Sequence, residues 1–369
     1  MYQFHECIGR GNFGDVYKAS RGGQYVAVKV VNLDESTEDI KVIVQEIHLL
    51  SRLSSPYITK YYETFVRDVN LFIVMEYCGG RSISDMLRHF KKIPEDIASY
   101  IARAVLRGLV YLHQEGKVHR DIKSANILLT EAAEVKLADF GVSGELTRTR
   151  AKRNTFVGTP YWMAPEVITR RKAGGGYDEK ADVWSAGITV YEMVTGAPPL
   201  AQHDPMKILF EIPRNRPPSL EGDYGANTKD FVRYCLVKDP AQRPAAATLL
   251  HHQFVGVSRH AQAKLARMIS ELAVRVVRPR HRLTVEVASG PAMPAWDFRT
   301  VSERPSPDPL VGVPRHVLFY CLHQVHQRSR TAATKHTVEQ LMGYLAQCET
   351  DQPGLCDALV EELHHVKPE

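Results

Sequence analysis

From Tyr2 to about Val74 the apolar positions fall in short β-branched runs such as Tyr25 to Val31 and Leu71 to Val74, a pattern that predicts strands. One stretch, Glu38 to Leu53, interrupts them with helical spacing. From Ile83 to Phe254 the period changes to that of amphipathic helices, clearest over Asp96 to Gln114 and Ala181 to Thr195. The expectation is an α+β molecule of two lobes, a small β-rich one over residues 1–78 and a larger helical one over 79–255. Beyond it, Leu265, Met268, Ile269 and Leu272 predict one more helix. A basic and then proline-rich linker runs to residue 315, with Arg275, Arg278, Arg280 and Arg282 followed by the stretch from Pro291 to Pro314. Residues 316–366 return to helical spacing. Leu318, Cys321, Leu322 and Val325 share one face, Val338, Leu341, Met342 and Leu345 a second, and Leu355, Leu359 and Leu363 a third. Three helices this short bury little apolar surface alone, so they read as a partner-binding or dimerisation module.

Composition narrows the picture. The chain has 369 residues, 44% hydrophobic and 24% charged, which suits a globular protein of two or three units. A formal net charge of +5 is too small to point to nucleic acid or a membrane surface. The six cysteines lack any Cys-x-x-Cys spacing, which fits a reducing compartment, and neither a signal-like leader nor a membrane-length apolar run is visible. The expected location is the cytoplasm, with the nucleus as a second compartment.

Candidate chemistry begins with Gly9-Arg10-Gly11-Asn12-Phe13-Gly14-Asp15-Val16 between two strand-like runs, where missing side chains let backbone amides approach phosphate oxygens. Such a run also serves a plain hairpin turn, so it carries weight only in company with further motifs. Val26-Ala27-Val28-Lys29 puts an ammonium on the next strands, and Glu46, among Ile43, Val44, Ile47 and Leu50, offers it a carboxylate partner. The decisive segments are His119-Arg120-Asp121-Ile122-Lys123-Ser124-Ala125-Asn126 and Asp139-Phe140-Gly141. Phosphoryl transfer needs a carboxylate to orient the attacking hydroxyl and oxygen ligands to hold a metal on the phosphates. Asp121 suits the first task, Asn126 and Asp139 the second, and Lys123 can neutralise charge on the transferred group. Ala164-Pro165-Glu166 closes the segment that Asp139 opens, and Asp182-Val183-Trp184 starts an apolar helix.

With these landmarks in order, residues 4–254 resemble a eukaryotic protein kinase from end to end. Gly158 to Glu166 and Val135 to Gly144 are similar to the germinal-centre-kinase branch of the sterile-twenty superfamily. That resemblance implies transfer of the ATP γ-phosphate to serine and threonine, with magnesium, or manganese in its place. It also implies that Lys123 and the substrate-loop Thr159 select those acceptors over tyrosine. Lys152 to Pro160 resembles the third subgroup of that branch, which puts an activating phosphosite on Thr155. Gly9 to Tyr17, Val74 to Gly80 and Asp204 to Lys207 are similar to the sporulation-specific kinases of budding yeasts, which implies a signalling role in sporulation or spore-wall formation. The same resemblance assigns the nucleotide site to Ile8, Gly9, Arg10, Gly11, Asn12, Phe13, Gly14, Val16, Ala27, Lys29, Met75, Glu76, Cys78, Asp85 and Leu128. It reads Arg243 as the structural partner of Glu166, and His119 and Phe140 as core supports. Arg81 stands where many relatives carry a third glycine beside the hinge, and the tract Gly174 to Gly176 departs from the usual pattern. Trp296 and Phe298 resemble the docking residues for a helical-repeat scaffold of the mouse-protein-25 type, and the final helices a homo- or heterodimerisation region. A pseudokinase that serves as a partner-binding scaffold is the alternative, although such proteins usually lose the counterparts of Lys29, Asp121 or Asp139.

Overall fold

The computed structural model describes residues 2–11, 14–33, 47, 51–67, 69–139, 160–169, 178–256 and 260–275. Contacts divide the chain into Met1–Trp296 and Asp297–Glu369, and every described residue belongs to the first unit. The expected helices past residue 316, Trp296 and Phe298 therefore lie outside the described residues, as do Asn12, Phe13, Glu46, Phe140, Thr155, Thr159 and the Gly174 to Gly176 tract.

The first lobe is an antiparallel sheet built from β1 (Gln3–Gly11), β2 (Gly14–Arg21), β3 (Gln24–Asn32), β4 (Tyr61–Arg67) and β5 (Asn70–Glu76), in the order β1-β2-β3-β5-β4. The β-branched runs read from the sequence form these strands, and Tyr17, Ala19, Val28, Val30, Phe72 and Val74 meet in one apolar layer. The register sets Lys29 opposite Val16 on one side and Ile73 on the other, and Ala27 opposite Met75. Gly14 turns the β1-β2 hairpin with φ +116°, and a Cβ there would stand 2.1 Å from the Val30 carbonyl oxygen, so only glycine fits. Ile47, Ser51 and Arg52 are helical, inside the stretch expected to break the strand pattern.

The second lobe comprises α1 (Ile83–Phe90), α2 (Glu95–Gln114), β6 (Ile127–Leu129), β7 (Val135–Leu137), α3 (Pro165–Thr169), α4 (Glu179–Thr195), α5 (Pro205–Arg214), α6 (Ala226–Cys235), α7 (Ala246–Leu249) and α8 (Ala261–Arg275). Helix α4 is its axis. Residues on all its faces are buried, Trp184, Ile188 and Met193 among them, and it packs against α2 and α6. Asp178 caps its first turn, and Gly196 at φ +98° ends it. Helix α8, expected from its apolar spacing, buries Leu265, Ile269 and Leu272 and packs on α2. No helix among the described residues is long and apolar enough to cross a membrane.

One buried ion pair fastens the end of the segment that carries Pro165. The Arg243 Nη1 and Nη2 atoms donate to Glu166 Oε1 and Oε2 at 2.7 and 3.1 Å, and the guanidinium also lies over the Trp184 ring. The Arg243 side chain is fully buried and Glu166 nearly so, which matches the structural role expected for them. Removing one member strands the other charge in the core, so Glu166→Ala is expected to cost about 3–5 kcal/mol in a urea denaturation series, whatever its effect on activity.

Candidate active site

The site forms where the two lobes meet. Strand β3 carries Lys29, whose side chain is buried and whose ammonium lies 3.2 Å from Asp139 Oδ1. Asp139 follows β7 directly, and the β6-β7 pairing of Ile127 with Leu137 brings it next to Asn126. The Ala138 amide donates to the Asn126 carbonyl at 2.9 Å and closes that approach. Asn126 ends a short 3-10 turn, Ser124–Asn126. Its side-chain nitrogen donates to both Asp121 O and Asp121 Oδ2 at 2.8 Å, which turns the amide oxygen into the end that can ligate a metal. Lys123 Nζ lies 2.8 Å from the same Asp121 Oδ2. The structure thus gathers Lys29, Asp121, Lys123, Asn126 and Asp139, five residues drawn from three separate sequence motifs.

Beneath this cluster sits an acid to which the sequence assigns no role of its own. Asp182 is buried near the start of α4, and its two carboxylate oxygens accept from the His119 and Arg120 amides at 2.8 Å each, with His113 Nε2 2.9 Å away. A signal for it exists, since a charged residue in a helix otherwise apolar on every side is buried with a task. Burial lowers the His119 imidazole below its ordinary value, so the ring stays neutral as a core support.

The residues that the resemblance assigns to the nucleotide's base are apolar and withdrawn from solvent. Ile8 on β1, Val16 on β2, Met75 at the end of β5 and Leu128 on β6 are half-buried, and Ala27 and Cys78 are buried. Gly80 N donates to Leu129 O and Leu129 N to Arg81 O, both at 2.8 Å, so β6 is stitched to the hinge. Gly9, Arg10 and Gly11 end β1, with Gly11 opposite Gly14. The Glu76 carboxylate is engaged by Lys136 Nζ at 3.0 Å and by the Lys60 amide at 3.1 Å, so it anchors the hinge. The Cys78 thiol is pushed up to about 12 by burial and stays protonated. Asp85 forms a capping box with Ser82 at the start of α1 and pairs with Arg88, so its carboxylate is part of that helix's first turn. Arg81 has φ 70°, a left-handed conformation that explains why a glycine is at home at this position. Arg120 and Asp139, with φ 72° and 54°, share that strain, and all three flank the site.

The protein kinase domain family matches residues 2–255. The chain belongs to the protein kinase family. Sporulation-specific protein 1 of Saccharomyces cerevisiae is 55% identical over 259 residues, which cover 69% of this chain and 52% of that protein. Serine/threonine-protein kinase dst1 of Dictyostelium discoideum is 49% identical over 259 residues, 69% of this chain and 34% of its own length. Serine/threonine-protein kinase ppk11 of Schizosaccharomyces pombe is 48% identical over 258 residues, 69% of this chain and 81% of ppk11. The chain spans about half of the first of these relatives and a third of the second.

A kinase domain takes ATP with a divalent cation, and the residues here fit both. Hard cations on phosphates need only one or two carboxylates from the protein, the phosphates supplying other oxygens. No group of three or more His, Cys, Asp or Glu that could hold a metal stands among the described residues, whereas Asp139 and Asn126 form the sparse oxygen pair such a site requires. Although 51% of the Asp139 side chain is open to the surface, the Lys29 ammonium holds its carboxyl below the ordinary carboxylate value, against the effect of desolvation. A depressed carboxyl contributes stability that is present above about pH 4 and lost as pH falls through the lowered value. Titration of the Asp139 carboxyl carbon by NMR is expected to give a midpoint below that of a free aspartate, and Lys29→Met to move it up.

Proposed function

We propose that this chain is a serine/threonine protein kinase that transfers the ATP γ-phosphate to protein hydroxyls and acts in sporulation or spore-wall formation. The observation that carries the reading is the Asp121 carboxylate with Lys123 Nζ and Asn126 Nδ2 both at 2.8 Å, beside the Lys29 and Asp139 pair. Asp121 orients the acceptor hydroxyl and takes its proton. Lys123, held on Asp121, faces the charge that develops on the transferred group. Lys29 would fix the phosphates from the β3 side, with Glu46 as the carboxylate partner that the sequence offers it. Asn126 and Asp139 hold magnesium, with manganese as a substitute. When bound, ATP would supply the electrophilic phosphorus and the metal would neutralise charge on its oxygens. Ile8, Val16, Ala27, Met75, Cys78 and Leu128 would enclose the base, Glu76 and Asp85 support the hinge and ribose edges, and the Gly9 to Gly14 run, Asn12 and Phe13 included, would cover the phosphates.

The serine/threonine preference rests on Lys123 and Thr159 and on the names of dst1 and ppk11, the sporulation role on the name of the Saccharomyces relative. Thr155 serves as the activating phosphosite, its phosphate pairing with Arg120. Trp296 and Phe298 dock a helical-repeat scaffold of the mouse-protein-25 type, and the segment over residues 316–366, with its helical apolar spacing, dimerises or binds a second protein. The cytoplasm, and the nucleus beside it, is the place of action. A scaffold without catalysis would leave Lys29, Asp121, Asn126 and Asp139 without a use.

Purified chain with labelled ATP, magnesium and a generic basic protein is expected to label serine and threonine. Asp121→Asn is expected to lose about 10²–10⁴ of the rate, the range for removal of a positioned base. Thr155→Ala is expected to lower activity at least about tenfold, since a phosphate there would order the loop. Unmodified Thr155 in active enzyme by mass spectrometry would count against that phosphosite. Deletion of the gene is expected to leave vegetative growth intact and to block spore formation.

A further inference from the structure

The register of the first sheet sorts its side chains into rows. Val16 stands opposite Lys29 and Lys29 opposite Ile73, and in the next row Lys18 stands opposite Ala27 and Ala27 opposite Met75. The row after that sets Ser20 opposite Tyr25. Successive side chains on a strand alternate between faces, so these rows share one face, and the apolar layer of Tyr17, Ala19, Val26 and Val28 forms the other. Lys18 and Tyr25 therefore lie on the face that carries Val16, Ala27 and Lys29, at its end toward the hinge.

There Lys18 Nζ is 3.9 Å from the centre of the Tyr25 ring and 5.0 Å from that of the Tyr77 ring, and the two rings are 6.1 Å apart. Among the described residues no carboxylate pairs with Lys18, so its charge rests on ring faces. Tyr77 is the first residue after β5, and the pairing of β5 with β3 ends at Glu76 opposite Val26. Where the hydrogen-bond ladder stops, the side chain of Tyr77 takes over the attachment to the sheet.

We propose that Lys18 is a positioning residue for the nucleotide's base, one that pins the hinge through the ring of Tyr77. The inference rests on the kinase reading above and adds to it the means by which the hinge backbone is set before the base arrives.

The peptide groups on either side of Tyr77 join it to Glu76 and Cys78, which the resemblance assigns to the nucleotide site. Each peptide is planar and leaves only φ and ψ to turn, so a side chain held at Tyr77 restrains both planes. The larger lobe already grips the hinge on either side of this point, through Lys136 on Glu76 and through Leu129 on Gly80 and Arg81. Tyr77 lies between those grips, and Lys18 supplies one from the smaller lobe. A hinge ordered in advance spares the cost of ordering it on binding, so affinity rises without any contact between Lys18 and the ligand. The contact also dictates which residues can serve. A cation over a ring face is attracted by the ring's electrons, so arginine can replace lysine there, whereas methionine fills the space without the attraction.

The test measures dissociation constants for ATP with magnesium and for adenosine, by calorimetry, on the full chain and on its Lys18→Met, Lys18→Arg and Tyr77→Leu variants. Adenosine carries the base without the phosphates, so it separates hinge order from plain attraction between the Lys18 charge and phosphate. Lys18→Met and Tyr77→Leu are expected to weaken both ligands by one common factor, about threefold to tenfold, the range for losing exposed cation and ring contacts. Lys18→Arg keeps those contacts and is expected to stay within about twofold of the parent. Amide hydrogen exchange at residues 76–78 is expected to rise in Lys18→Met while the β2-β3 pairing stays unchanged, and this readout needs no ligand. Weakening of ATP alone, parental affinity for both ligands in Lys18→Met, or a Lys18→Arg protein as weak as Lys18→Met overturns the proposal. If the parent binds neither ligand, the kinase reading fails, and exchange at residues 76–78 then decides the pin by itself. Should Lys18→Met or Tyr77→Leu fail to fold, the other of the two decides.

Discussion

The arrangement of the site depends on one buried carboxylate. Asp182 accepts the His119 and Arg120 amides on separate oxygens, and these bonds suspend the catalytic loop from α4. The loop would not hold this shape unaided, because Arg120 sits at φ 72°, a left-handed conformation that costs a side-chain-bearing residue about 1–2 kcal/mol. Hydrogen bonds to a charged group contribute about 1.5–3 kcal/mol each, so two of them outweigh the strain. The price is a charge in the core, which α4 can carry because His113 and the loop amides surround it. From that fixed loop follow the placement of Asp121, the reach of Lys123 and the turn that presents Asn126.

The remaining half of the site comes from the other lobe, and two ion pairs join the halves. Lys29 on β3 meets Asp139 after β7, and Glu76 at the end of β5 meets Lys136 within β7. Both pairs converge on the same short strand, so the approach of the lobes is read at β7 from the front and from the hinge. Lys29 and Asp139 would hold the phosphates and their metal, whereas the Glu76 and Lys136 contact lies at the hinge.

Much of this was legible in the sequence because each local signal had a direct physical cause. The β-branched run from Tyr25 to Val31 is β3, buried without a break from Val26 to Val30, the helical periods over Asp96 to Gln114 and Ala181 to Thr195 are α2 and α4, and the reaction's demand for a base and metal ligands picked out Asp121, Asn126 and Asp139 as candidates. The unusual Arg81 was visible as a departure from glycine, and its positive φ supplies the reason. What could not be read were the partnerships across long separations. Asp182 with His119, Glu192 with Ser124 and Trp162, and Lys136 with Glu76 join residues that no period or motif relates. Asp182 and Glu192 sit in an apolar helix as apparent exceptions, and their meaning appears only when the loops they hold are folded against them. Asp85 shows the converse, since a residue assigned by resemblance to the ribose edge is also the cap of its own helix.

A charge buried in α4 holds the catalytic loop in its working shape. That dependence is tested most directly by the single-turnover rate of phosphate transfer to a serine or threonine peptide in Asp182→Asn, a near-isosteric change that leaves one oxygen to serve donors that now require two. The expected result is a fall of more than about a hundredfold in a protein whose circular dichroism matches the parent, as happens where misplaced groups and not lost fold limit the rate. A folded Asp182→Asn protein that transfers phosphate at the parental rate would contradict it.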